Sequence, residues 1–418
     1  MATLHSSADL ADLAGLVPNA ASHRSYRLTA IDMLRGLAIV VMAIDHVRDY
    51  FLAGTEVDPM ANPNVSAAIF ATRWITHFCA PVFVLLAGTS AGLMVARRSR
   101  GELARFLFTR GVWLVVVEML VIATAWTFAP GGLPEVGGLT WISMQVIWAI
   151  GASMVVLSGL QYLGRNACLA IGAAVVAAHN LLDPIWPASQ LLDQQWPAWV
   201  ALHSAMSLHA GPFLFVFRYP VLPWIGVMLL GFGISGVFER PPVRRNALLL
   251  AWGAGLTLGF LLLRASGIYG DPNSWQVQPG GITATVIDFL NVTKYPPSLL
   301  YLMMTLGPAA ILCALADRIS GGILGGIKDA LVMFGRVPFA FYVAHLYLIH
   351  LLSVLLGLSQ GFSLDQMMTS SRFYPTGFGV GLPEVFMVWA LVVAALYPLC
   401  RWVAGVKARR RDWWLSYV

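Results

Sequence analysis

Four ionisable residues, Asp45, His46, Arg48 and Asp49, follow directly on the apolar run 37–44, where a membrane-spanning helix is expected to carry few. Residues of these types at such a depth can do acid–base chemistry, because a neutral imidazole takes a proton at one ring nitrogen while a neighbour holds the other. Helical spacing sharpens the expectation. Asp32, Arg35, Ile39, Met42, His46 and Asp49 follow steps of three and four, so they share one face. Arg35 and His46 are eleven residues apart, about 16 Å of rise. The stripe is polar at both ends and apolar between, with Asp32 and Arg35 able to pair at one end and His46 and Asp49 at the other. Two solvated helix ends would use the same residue types. The shared stripe favours a bundle interior or water-filled cavity, where intramembrane ionisable groups usually face.

Other segments carry comparable chemistry. Arg73 and His77 are four apart, and Pro81 can kink the chain just beyond them. Tyr342 and His345 are three apart and can share a face, whereas His350 points elsewhere and reads as interfacial. Asp45, His46, Asp49 and His77 are therefore the candidate catalytic residues. Asp32, Arg35, Lys294, Arg336, Tyr342 and His345 are the candidate substrate- or cofactor-binding residues. Glu118, alone in an apolar stretch, is expected to be protonated or paired, most simply in a structural hydrogen bond. Cys79, Cys168, Cys313 and Cys400 are scattered singly, without a disulfide framework. No zinc signature or local ligand pair accompanies the histidines, so no metal is expected.

The elements that position these residues must be membrane helices. Charged residues make up 11% of the 418 and hydrophobic ones 58%, with a mean hydropathy of +0.73. A soluble chain carries about 25% charged residues, so much of this surface faces lipid. The expected fold is an all-α polytopic bundle of about ten transmembrane helices. Apolar segments lie at 28–50, 69–96, 106–129, 140–163, 166–182, 217–238, 244–264, 295–317, 330–357 and 382–404, each near the ~20 residues a span needs. Residues 186–214, with Trp186, Trp196, Trp199, His203 and His209, read as interfacial.

Residues 1–26 read as a flexible cytosolic tail without a signal sequence, 27–405 as one transmembrane domain, and 406–418 as a basic, aromatic cytosolic tail bearing Trp413, Trp414 and Tyr417. With the N-terminus inside, 20 of the 26 Lys and Arg residues fall on the cytosolic side. Only Arg48, Arg73, Arg218, Arg264, Lys294 and Arg372 fall outside. That split follows the positive-inside rule with both termini cytosolic. The spread of cations over inner loops gives no nucleic-acid site, and lipid is the expected macroscopic partner.

Several stretches together carry a resemblance: RLTAIDMLRGLAIVVMAIDHVRDYF (Arg27–Phe51), APVFVLLAGTSAGL (Ala80–Leu93), LPWIGVMLLGFGI (Leu222–Ile234), KYPPSLLYLMMTLGP (Lys294–Pro308), FGRVPFAFYVAHLYLIH (Phe334–His350) and RRRDWWLSYV (Arg409–Val418). The chain resembles bacterial membrane proteins of the heparan-alpha-glucosaminide N-acetyltransferase catalytic type, within a wider group of transmembrane acyltransferases. The resemblance implies an inner-membrane enzyme that moves an acetyl group from cytosolic acetyl-CoA to an acceptor across the membrane, an amino sugar in the eukaryotic relatives. It carries over Asp32, Arg35 and Gly36. His46 aligns with a catalytic asparagine of those relatives. Their catalytic histidine lies in the loop before the second helix, and residues 52–72 here contain no His. Either His77 replaces it, or this branch handles another acceptor or reaction.

The expected mechanism divides the first span. Arg35, Arg336 and Arg97 would meet the CoA phosphates, the apolar middle would hold the pantetheine arm, and His46 with His77 would meet acetyl group and acceptor. Asp45 or Asp49 would orient the imidazole acting as general base. A transient acetyl-histidine is the other route. A proton-coupled transporter of a small solute, using Asp45, His46, His77 and Glu118, is the competing class. The acceptor is expected to be a small molecule or glycan, and a homodimer is an admissible assembly.

Overall fold

The computed structural model describes residues 20–54, 65–185, 197–410, 412 and 415. In hydrocarbon every backbone polar group must be satisfied within the chain, which leaves helices as the spanning elements. The first, α1 (Ala20–Phe51), is followed by α2 (Ala67–Thr76), α3 (Cys79–Met94), α4 (Arg100–Val117) and α5 (Ala123–Thr127). Next come β1 (Thr140–Met144), α6 (Val146–Leu160), α7 (Arg165–Ala178), the short α8 (Pro197–Leu202), β2 (Ser207–Ala210) and β3 (Phe213–Phe217). The remaining helices are α9 (Val221–Ile234), α10 (Pro242–Ser266), α11 (Ile282–Leu290), α12 (Leu299–Leu315), α13 (Gly322–Arg336), α14 (Pro338–Ser359), α15 (Leu364–Met367) and α16 (Leu382–Arg409).

Among the described residues, nine helical segments are long and apolar enough to cross a membrane, and they match the second to tenth expected spans. The first expected span is α1, whose charges set it apart in composition. The chain is an all-α polytopic membrane bundle.

Charge dictates where α1 sits. It packs against α2, α3, α12, α13, α14 and α16, and Ile31, Ile39, Ala43, Val47 and Tyr50 along it are almost wholly buried. The closest approach is to α13, where two glycines cross. A Cβ on Gly36 would run into the Leu331 carbonyl, and one on Gly335 into the backbone of Asp32. Only backbone without a side chain fits at this crossing.

Three expected spans have different internal structure. The segment 69–96 breaks at His77 and Phe78 into α2 and α3. Pro81 has no N–H to give the His77 carbonyl, and the Tyr301 hydroxyl donates to that carbonyl instead, at 2.7 Å. The segment 330–357 is two helices, since Pro338 opens α14 and removes Val337 from helical geometry. The segment 140–163 begins as a strand. β1 pairs in parallel with β3, and β2 pairs antiparallel with β3. This small sheet lies across the end of the bundle where α1 carries His46, and its β-branched and aromatic residues are also apolar enough to read as a helix by composition.

Residues 20–26, expected within a flexible tail, are the first turns of α1, while 1–19 lie outside the described residues. The basic tail begins as the last turns of α16, and Trp413, Trp414 and Tyr417 lie outside the described residues, as do Trp186 and Trp196. Trp199, His203 and His209 belong to α8, the turn after it and β2, none of which spans.

Gly335→Ala should lower the melting temperature of the detergent-solubilised protein, by the equivalent of about 1–3 kcal/mol for an overpacked crossing. Gly326→Ala, on an open stretch of α13, should leave it unchanged.

Candidate functional site

At the heart of the bundle His46 Nδ1 and His345 Nε2 are 2.7 Å apart, with the two rings stacked at 4.9 Å. Which nitrogen holds which proton follows from the next link. His345 Nδ1 is 3.0 Å from the Phe341 carbonyl oxygen, which can only accept, so His345 Nδ1–H donates to it. Neutral His345 then accepts at Nε2, and His46 Nδ1–H must be the donor. His46 is left with its lone pair on Nε2. A main-chain carbonyl on α14 thus sets the basic nitrogen of a residue on α1.

The carboxylates do something else. Asp45 accepts from Arg73 at 2.6 and 2.9 Å, from Arg48 at 2.6 Å and from the Thr76 hydroxyl at 3.0 Å. Lys294 Nζ stands 4.0 Å from it. Asp49 accepts from Arg48 at 2.6 Å. The expected pairing of His46 with Asp49, and the orientation of an imidazole by Asp45 or Asp49, are replaced by this ion-pair network. Burial explains the choice, since Arg48 and Arg73 are almost wholly enclosed and an enclosed guanidinium needs a carboxylate more than a neutral imidazole does.

Two cavities lie along α1, one on each side of the stretch from Met42 to Asp45. One, of about 420 Å³, is lined along α1 by Arg35, Ile39 and Met42. Its wall is mainly apolar, with Phe83, Leu114, Ile147 and Phe339 among its members, and Arg35, Arg98, Arg110, Arg336 and Lys407 also line it. Arg35 is steadied by Asp32 at 2.9 Å, the Gly335 carbonyl at 3.1 Å and the Ser90 hydroxyl at 3.1 Å. The other cavity, of about 290 Å³, is polar and is lined by Asp45, His46, Arg48 and Asp49 of α1 together with Arg73, Trp126, Gln145 and Arg218.

The partition between them is thin. On α1 the two linings are separated only by the stretch from Met42 to Asp45, about 4.5 Å of rise. Gln145 lines one cavity and its neighbour Val146 the other. Tyr342 lines the apolar cavity, and its ring centroid is 6.2 Å from that of His46. Trp126 packs edge-on to His46 from the polar side, at 5.1 Å. Glu118 holds this partition from behind. Its Oε2 accepts from the Trp148 amide in the first turn of α6 at 2.8 Å, so it is a helix-terminal hydrogen bond. The chain turns π-helical over Glu118–Ile122 to present it.

The structure brings together His46, His345 and Tyr342, and in a second group Asp32, Arg35 and Arg336, whose Nε is 3.9 Å from Asp32. It does not bring His77 to His46. His77 sits at the break between α2 and α3, packed on Tyr301 at 5.3 Å, and lines neither cavity. At the break the His77 amide bonds to the Trp74 carbonyl, three residues back, at 3.1 Å. Lys294, expected to bind substrate, is buried against Asp45 and lines neither cavity. His350 is buried rather than interfacial, stacked on Phe128 at 3.8 Å and donating from Nδ1 to the Ala125 carbonyl at 2.8 Å. Arg98 lines the apolar cavity in place of Arg97. Sequence reasoning missed Arg110, Lys407, Trp126, Gln145 and Arg218, which only tertiary folding gathers. Among the described residues, no group of three or more His, Cys, Asp and Glu side chains is arranged to hold a metal ion.

The family model described as heparan-alpha-glucosaminide N-acetyltransferase, catalytic, matches residues 27–263. The chain belongs to the heparan-alpha-glucosaminide N-acetyltransferase catalytic family. Membership points to a membrane acetyltransferase. The matched region contains His46, Glu118 and the sheet, and ends before α14, so His345 and Tyr342 come from beyond it. No curated protein matches the chain.

Asp45→Asn should be severely destabilising in this family member, because it leaves Arg48 and Arg73 short of a counter-charge. About 3–5 kcal/mol is the usual cost of breaking a buried pair from one side. Loss of monodisperse protein on size-exclusion chromatography, or a collapsed melting temperature, is the expected readout.

Proposed function

We propose that the protein is an acetyl-CoA-dependent acyltransferase of the bacterial inner membrane, carrying an acetyl group from cytosolic acyl-CoA to an amine or hydroxyl of a sugar-like acceptor on the far side. The observation that supports it most is the pair of unlike cavities on either side of a thin partition that carries His46, an imidazole whose basic nitrogen is fixed. CoA is polyanionic at one end and neutral along its pantetheine arm. A cavity lined by Arg35, Arg98, Arg110, Arg336 and Lys407 over an otherwise apolar wall suits that division. The distribution of cations along the sequence favours the Arg35 side as cytosolic.

In this reading the thioester lies at the Tyr342–His46 partition and the acceptor in the polar cavity. His46 Nε2 takes the proton from the acceptor as its nitrogen or oxygen attacks the thioester carbonyl. The new N–C or O–C bond forms, the C–S bond breaks, and the proton passes from His46 to the departing CoA thiolate. His345 stabilises the imidazolium by accepting from Nδ1–H, the role a carboxylate fills in other triads. The same lone pair could attack the thioester itself. Rapid denaturation at neutral pH after incubation with labelled acetyl-CoA and no acceptor separates the routes, since label retained on the wild-type protein and lost in His46→Ala marks acetyl-histidine.

His46→Ala should reduce transfer from acetyl-CoA by about 10²–10⁴-fold, the usual contribution of a general base, with CoA binding retained. His345→Gln, whose amide oxygen can accept from Nδ1–H, should retain more activity than His345→Leu. His77→Gln should turn over like wild type. Full activity in His46→Ala would remove the mechanism. Gradient-driven solute uptake by proteoliposomes without acetyl transfer would favour a transporter.

A further inference from the structure

The polar cavity holds more positive charge than its carboxylates can balance. Four arginines line it, Arg48, Arg73, Arg218 and Arg372, against two aspartates, Asp45 and Asp49. Both carboxylates are committed: Asp45 to Arg48 and Arg73, and Asp49 to Arg48. The guanidinium groups of Arg218 and Arg372 have no hydrogen-bond or ion-pair partner among the described residues.

These two arginines converge from separate elements. Arg218 follows β3, and its amide bonds to the Met144 carbonyl of β1 at 3.1 Å, so the sheet fixes where it emerges. Arg372 lies in the short 3₁₀ turn Ser371–Phe373 before α16. Arg218 is half-buried, and burial followed by the nearby Arg372 charge pulls its guanidinium below the ordinary value. Arginine nevertheless stays charged. Two neighbouring cations lining one partly enclosed cavity, with Asp49 acting on Arg218 through space but ion-paired to neither, are a site for an anion, and guanidinium forks suit carboxylate and phosphate oxygens alike. Ser370 and Ser371 line the same wall and supply hydroxyl donors. Trp141, edge-on to Phe373 at 5.6 Å, adds an aromatic surface beside them.

We infer that Arg218 and Arg372 form an anion subsite beside His46, and that the acceptor carries a carboxylate or phosphate next to the amine or hydroxyl that is acylated. The second clause rests on the transferase reading above; the first does not.

Two measurements on the full-length protein in detergent test this. In the first, calorimetry with CoA already occupying the other cavity titrates inorganic phosphate and, separately, glucuronate. At least one should bind, with Arg372→Glu and Arg218→Gln each weakening it by about tenfold, the loss expected for one charge-assisted hydrogen bond. Arg372 is exposed, so its variant should fold even if Arg218→Gln melts early. Whichever anion binds identifies the group. Absence of binding by both, or binding indifferent to the two substitutions, overturns the subsite.

In the second, acetyl transfer is compared between glucosamine and glucosamine 6-phosphate, or a carboxylated amino sugar if glucuronate is the better ligand. The anionic acceptor should have the higher kcat/KM, and Arg372→Glu should collapse the ratio. Arginine-dependent anion binding without transfer to any acceptor would keep the subsite and remove the transferase reading. Equal transfer to neutral and anionic acceptors, with no anion binding, would do the reverse.

Discussion

A helix carrying Asp32, Arg35, Asp45, His46, Arg48 and Asp49 cannot turn those residues to lipid without a cost of several kcal/mol each. In this protein α1 is enclosed by six other helices, and the remaining architecture follows from that enclosure. The Gly36–Gly335 crossing lets α13 approach closely enough to hand the Gly335 carbonyl to Arg35. Arg73 of α2 reaches Asp45, and beyond the break at His77 α3 continues alongside α1. The outer helices, α10 and α16 above all, are largely exposed along their lengths and meet lipid in place of α1.

Within that enclosure the polar residues separate into two physical kinds. Asp45, Arg48, Arg73 and Asp49 neutralise one another in a network whose members cannot be removed singly without stranding a charge. His46 and His345 are neutral and need only one shared proton and one carbonyl to be satisfied. The first kind ties α1 to α2. The second leaves one nitrogen with an unshared lone pair in a polar cavity, which is what proton transfer requires. Charge therefore supplies position, and a neutral pair supplies reactivity.

The two cavities extend this separation across the membrane. One combines an apolar wall with scattered cations, the other is small and polar, and the partition between them is a turn of α1 with Tyr342, Trp126 and the start of α6. Under the proposed transferase reading, a thin partition of side chains would let a long donor and a polar acceptor approach one imidazole without either crossing lipid. The family match covers α1 through most of α10, yet the partition also draws on α14. The site is a property of the whole bundle.

Sequence alone determined the membrane class, the spans and the stripe from Arg35 to Asp49 that now runs along both cavities. Hydropathy and helical period are local quantities, set by residues within a few turns of one another. The resemblance to the transferase family was equally legible, because its motifs are contiguous. Partner choice was not. Asp49 stands three residues from His46 and was the natural partner on one helix, but Arg48 lies closer in space and carries the charge that a buried carboxylate needs. His77 shared an expected depth with His46, but its ring packs on Tyr301 and lines neither cavity. The strand at Thr140–Met144 was hidden by its apolarity. That His46 meets His345, 299 residues along the chain, depends on how α1 and α14 pack, and only the tertiary structure decides which nitrogen then remains free.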